Sequence, residues 1–142
     1  MRKHRLNVTA DHVLDVFHDE NFDALADARI PLLNGPPGSI ACKVELKHED
    51  YRNVGLLMKS RAFYGLMTDH PVIMTPMLRD SLKYFLIHGM TEEDALAVIT
   101  SHNAKILGLD ADLGTVAEGK LASLVVWDRN PLHLGAFPSM VM

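Results

Sequence analysis

Little in this chain of 142 residues points outward to another macromolecule. It has one cysteine, Cys42, which excludes a disulfide framework and any CxxC metal clamp; a reducing, cytoplasmic setting is the expectation. It has no basic block, and 14 Lys and Arg stand against 18 Asp and Glu for a formal charge of -4. A nucleic-acid partner is therefore not expected. No apolar run approaches the roughly 18–20 residues that a membrane-spanning helix needs. The opening MRKHRLNVTADH is basic but is not followed by an apolar stretch, so a signal peptide is not expected either. The eight histidines include no HxH or HxxxH pair, so no local two-histidine metal clamp exists.

What the chain does have is apolar residue in quantity, 48% of the total with a mean hydropathy of +0.05, enough to bury a core. The apolar residues come as short runs alternating with amphipathic segments. Leu6–Ala10, Ile30–Leu33 and Phe63–Met67 read as strands, and Asn34-Gly35-Pro36-Pro37-Gly38 stops the second. The segment DVFHDENFDALADAR reads as a helix with Phe22, Leu25 and Ala26 on one face and His18 on its polar face. Tyr51, Val54 and Met58 mark a second helix. Leu78, Leu82, Phe85 and Leu86 stripe a third, closing on Gly89. Thr91 caps a fourth, whose buried face holds Ala95, Val98 and Ile99 and which runs on through Asn103–Leu107 to Gly108. From Leu113 the pattern changes to LGTVAEGKLASLVVWD, which reads as a hairpin of two strands around a Gly-Lys turn. Successive strand-helix units followed by a small β piece predict an α/β fold with a parallel sheet and right-handed crossovers. Three strands are few for such a sheet.

In parallel α/β folds, functional groups gather where strands end. Leu6–Ala10 runs into Asp11 and His12, and Phe63–Met67 into Asp69 and His70. Imidazole and carboxylate are the usual ligands of catalytic zinc, and a carboxylate can also accept a proton from water. A solvated Asp-His-Pro turn fits the second site equally well, and Asp11 or Asp15 can be read as helix caps near the first. His4, His88, His102 and His133 read as terminal, helix-end and loop residues. Lys43-Val44-Glu45-Leu46-Lys47 alternates charged and apolar residues, as an edge strand or a substrate-facing lid would. No glycine cluster matches a phosphate-binding loop, and Cys42 has no evident activating base.

The stretch SHNAKILGLDADLGTVAEGKLASLVVWDRNPL (101–132) closely resembles the C-terminal signature of the amidohydrolase superfamily of metal-dependent hydrolases. Asn103, Ala104, Leu107, Gly108, Gly114, Gly119, Lys120, Ala122 and Asp128 fill the pattern, and Ser123 stands where the family often has Asp. GLMTDHPV resembles the end of the eighth barrel strand in the imidazolonepropionase-like branch, and LNVTADH resembles the sixth.

The resemblance implies a partial (β/α)8 TIM-type barrel, about strands six to eight with their helices, over residues 1–110, and a β segment of a companion β-sandwich over 111–142. It implies hydrolysis of non-peptide carbon–nitrogen bonds, in cyclic amides or amidines, by metal-activated water. Asp69 would be both catalytic residue and metal ligand, His12 a second metal ligand, and His70 a substrate contact. The implied cofactor is divalent, zinc by expectation, as one or two ions. The implied partners are a small-molecule substrate and either a missing N-terminal barrel segment or a second copy; nucleic acid and membrane are not among them. The family's first-strand HxH and its ligands from the fourth and fifth strands have no counterpart here. The chain is thus expected to be the C-terminal portion of such an enzyme or, alternatively, an inactive or partner-dependent half-barrel.

Overall fold

The computed structural model describes residues 6–39 and 44–142. His4, Cys42 and Lys43 lie outside the described residues. Three short strands, β1 (Ala10–Asp11), β2 (Leu32–Asn34) and β3 (Tyr64–Leu66), form one parallel sheet in the order β1-β2-β3. Ala10 pairs with Leu32, and Leu32 in turn with Tyr64, so the three strands begin level with one another. Parallel neighbours need long crossovers, and helices supply them here. Helix α1 (Asp19–Asp27) joins β1 to β2, and α2 (Asn53–Lys59) joins β2 to β3.

The core sits between this sheet and its helices. Phe22 of α1, Leu57 of α2, Leu32, Leu66, Leu82, Phe85 and Val98 are almost completely buried in one cluster. Most of the helical stripes expected from the sequence pack against this cluster: Phe22 with Leu25 and Ala26, Val54 with Met58, and Leu82 and Phe85 with Leu78 and Leu86. Tyr51, expected on the second stripe, lies before α2 and is exposed. Burying a large aliphatic or aromatic side chain is worth roughly 1.5–3 kcal/mol. This cluster therefore carries most of what holds the three strands in register. The ring of Tyr64 also stacks on Phe85, with centroids 5.8 Å apart.

The third amphipathic stripe is broken into two 3-10 turns, Thr75–Leu78 and Asp80–Leu82, and a single α turn, α3 (Lys83–Leu86). It ends as Gly89 predicts: Gly89 (φ 90) donates to Leu86 and Met90 donates to Phe85. Thr91 then accepts the Asp94 N–H at 3.1 Å, as expected of a cap for α4 (Glu92–Ala97). A π turn, Val98–His102, connects α4 to α5 (Asn103–Ile106).

Three local expectations are corrected. His18 lies just before α1 rather than within it, because Val13–Asp15 forms a separate 3-10 turn and the chain is extended at His18. Neither Asp11 nor Asp15 caps a helix; Asp15 accepts hydrogen bonds from the backbone N–H and the ring of His48 instead. Val44–Leu46 is a 3-10 turn, not an edge strand. In the last thirty residues Gly119 and Lys120 do form a turn, with Lys120 Nζ donating to the Asp110 and Leu113 carbonyls. The strand that follows, β4 (Val125–Trp127), pairs antiparallel with β5 (Pro138–Val141) and not with the residues before the turn.

Candidate metal centre

Each strand of the sheet hands over to its loop through a residue with positive φ: His12 (57°) after β1, Gly35 (136°) after β2 and Asp69 (50°) after β3. Glycine adopts such angles freely. At Gly35 it is also needed for space, since a Cβ there would lie 2.0 Å from the Met67 carbonyl oxygen. For histidine and aspartate the left-handed conformation costs roughly 1–2 kcal/mol each. Two of three strand ends are therefore strained, and they belong to two of the residues marked as ligand candidates by the sequence.

The structure brings these two together. His12 Nε2 lies 3.7 Å from Asp69 Oδ2, with side chains 46% and 41% exposed. An ion pair that wet contributes about 0–1 kcal/mol, too little to offset two strained backbones. Stability does not account for the geometry, and strain concentrated at strand ends is a mark of a functional site. The turn that holds Asp69 is closed by Val72 N–H donating to the Asp69 carbonyl at 2.8 Å and Ile73 N–H donating to Thr68 at 3.2 Å. Thr68 is buried, whereas the neighbouring His70 is exposed and makes no hydrogen bond or ion pair with His12 or Asp69 among the described residues.

Two donors suit one edge of a metal's coordination shell. Atoms about 2.0–2.2 Å from a shared zinc ion stand roughly 3.5 Å apart when tetrahedral, close to the observed separation. Imidazole and carboxylate are also the right chemistry. The centre is not complete: among the described residues no three His, Cys, Asp or Glu side chains converge, and catalytic zinc takes three protein ligands.

Several residues that shape these strand ends carry no signal in the sequence pattern. Asn103 lies in the signature stretch, yet nothing there reveals its role. Its Oδ1 accepts the Leu66 N–H at 3.1 Å and its Nδ2 donates to the Leu66 carbonyl at 2.9 Å. Beside it, His102 Nδ1 donates to the Tyr64 carbonyl at 2.9 Å. Asn34, read from the sequence as the start of a breaker cluster, is 3% exposed. Its Nδ2 is the one buried side-chain nitrogen or oxygen among the described residues with no partner. It borders a cavity of about 10 Å³, shared with Glu49 and Asn53, at the lower limit for one water. Burial raises the Glu49 carboxyl above its ordinary pKa even though Ser39 donates to it. Asn53 ties the loops together, donating to the Leu14 and His48 carbonyls at 3.0 Å each. The larger concavities, of about 610 and 670 Å³, are lined by neither His12 nor Asp69.

Comparison with known proteins agrees with the resemblance read from the sequence. The profile of the "Amidohydrolase family" matches residues 7–140. An imidazolonepropionase from Acinetobacter baumannii is 31% identical over 126 residues, covering 85% of this chain and 30% of that enzyme. One from Hahella chejuensis is 48% identical over 47 residues, covering 32% of this chain and 12% of that protein. Among solved structures, an amidohydrolase from Thermotoga maritima superposes with a TM-score of 0.89 at 30% identity, covering 99% of this chain and 36% of that one. A prolidase complexed with N-methylphosphonate-L-proline shares the fold at 17% identity, with a TM-score of 0.72, covering 88% of this chain and 34% of its own. The chain thus spans about a third of the length of the Acinetobacter relative and of both solved structures. A match across nearly every residue, in sequence profile and in fold, leads to one conclusion: the chain belongs to the amidohydrolase family.

Proposed function

We propose that this chain is the part of a metal-dependent hydrolase that presents Asp69 and His12 to a divalent ion, zinc by expectation, at the mouth of a (β/α)8 barrel. In this reading β1, β2 and β3 are the sixth to eighth barrel strands within residues 1–110, and residues 111–142 belong to a companion β-sandwich. The substrate is a small molecule with a non-peptide carbon–nitrogen bond, a cyclic amide or amidine. The observation that carries the reading is the 3.7 Å approach of His12 Nε2 to Asp69 Oδ2 across two strained strand ends.

A divalent ion bound there would lower the pKa of a water toward about 7. Asp69 accepts the proton released as the water oxygen attacks the carbonyl or amidine carbon, then returns it to the nitrogen as the carbon–nitrogen bond breaks. His12, at the end of β1, would hold the ion together with Asp69. His70, exposed on the same turn as Asp69, is the proposed substrate contact.

A second reading is favoured by the shortage of donors. Since no third His, Cys, Asp or Glu converges on the pair among the described residues, the chain would be a partner-dependent half-barrel without catalysis of its own. One experiment tests the metal role that the first reading requires. This chain is grafted into the Thermotoga maritima amidohydrolase in place of the third it matches, and zinc is measured in the folded chimera. Stoichiometric zinc that falls at least tenfold in the Asp69→Asn chimera supports the metal role. Equal zinc in both contradicts it.

A further inference from the structure

We propose that Asn103 is a positioning residue for Asp69, acting through the backbone of β3; the proposal rests on the reading of Asp69 given above. The argument begins with the direction of the β3 peptide groups. Met67 N–H donates to the Asn34 carbonyl and Leu32 N–H to the Phe63 carbonyl. Residues 63, 65 and 67 therefore face β2, and residues 64 and 66 face the outer edge of the sheet, where no strand lies among the described residues. On that edge an unpaired N–H and C=O would be left to water, and the strand end would be held from one side only.

The Asn103 side chain closes it. A primary amide offers an acceptor and a donor in one plane, the same pair that a neighbouring strand residue would offer, and it takes both the N–H and the carbonyl of Leu66. His102 adds a bond to the Tyr64 carbonyl on the same edge. Two features of the chain exist to allow this approach. Gly65 has no side chain where a Cβ would come within 2.0 Å of Asn103 Oδ1. The helix widens into a π turn at Val98–His102, and the extra residue in that turn re-aims the side chains that follow it. Such π turns are common beside functional sites.

Leu66 lies three residues before Asp69. Between them, Met67 is fixed on the β2 side by the Asn34 carbonyl, with Gly35 packed against its own carbonyl oxygen. Among the described residues, the outer side is fixed at this level by Asn103. Both flanks must hold if a strained residue at φ 50° is to keep its carboxylate at 3.7 Å from His12. A helix anchor of general use would stabilise the fold without controlling that distance; a positioning residue controls it.

The test is a double-mutant cycle read by NMR on the chain itself, at a fixed pH, using the ring Cε1–H shift of His12. Asp69→Asn moves that shift in the otherwise unchanged protein. In the Asn103→Ala background, with the fold checked by circular dichroism, the same substitution moves it at least threefold less. An equal movement in both backgrounds overturns the proposal and leaves the site reading intact. No movement in the unchanged protein overturns the site reading, and this proposal with it. Should Asn103→Ala fail to fold, the amide of Leu66 in the native chain decides: exchange at least 100-fold slower than at exposed Asp11 is expected, and comparable exchange overturns the clamp.

Discussion

The outer strands β1 and β3 both end on a non-glycine residue in the left-handed region, and each presents a candidate ligand there. They are supported differently. β3 is paired to β2 on one side and capped by Asn103 and His102 on the other, with Leu66 fully buried beneath. β1 has two residues and, among the described residues, pairs with β2 only; its own Asp11 and the preceding Thr9 are exposed. On the proposed reading, the carboxylate that would accept the proton stands on the strand held from both sides and the imidazole on the strand held from one. A proton acceptor must be held to within a fraction of an ångström. A ligand on a softer strand can adjust to its ion.

The sharpest way to break this comparison is at Gly65. Gly65→Ala drives a methyl into Asn103 and removes both bonds to Leu66, and should destabilise the chain by about 3 kcal/mol in urea unfolding. A change immediately before the other outer strand, Thr9→Ala, should cost no more than about 0.5 kcal/mol. Equal losses would mean that the two edges are held alike.

The strained residues offer the next test. His12→Gly relieves a left-handed histidine and should raise stability by about 1 kcal/mol while removing the proposed ligand. Arg29, also left-handed (φ 55°) but at the end of α1 and remote from the strand ends, is the control: Arg29→Gly should give a similar gain and leave metal binding unchanged. If both glycine variants lose stability, the strain argument is wrong.

The smallest expected effect concerns the loop between β2 and α2. Burial raises the Glu49 pKa, so the native state holds this proton more tightly than the unfolded chain does. That contribution is present below the unfolded pKa and is lost as pH rises through the raised native value. Glu49→Gln should therefore raise the melting temperature slightly near neutral pH and by less near pH 4, in paired thermal melts. The opposite sign would show that the Ser39 hydrogen bonds outweigh burial.

How much of this was legible in the sequence depended on whether the determinant was local. β2, β3 and the positions of His12 and Asp69 follow from apolar runs that stop at polar residues, and most buried helix faces follow from their spacing. The first strand was expected at Leu6–Ala10 but is Ala10–Asp11, because residues 6–9 make no ladder with β2. The start of α1 was misplaced because the DVFHDENF stretch keeps helical periodicity through an extended stretch at His18 that has no breaker residue. The partner of β4 was missed because Pro138–Val141 reaches it across a loop. That loop is closed by Asp128 accepting the Phe137 N–H, a contact between residues nine apart that no periodicity announces. The Asn103 clamp and the orphaned amide of Asn34 depend on which side chain meets which strand edge. Both are decided by packing between elements far apart in the chain.

The most direct test of the central claim is to locate a divalent ion on the isolated chain. Manganese is titrated into the labelled protein, and paramagnetic broadening is mapped residue by residue. The account predicts broadening centred on His12 and Asp69 that is lost in Asp69→Asn. Broadening centred on other histidines, or unchanged by that substitution, would contradict it.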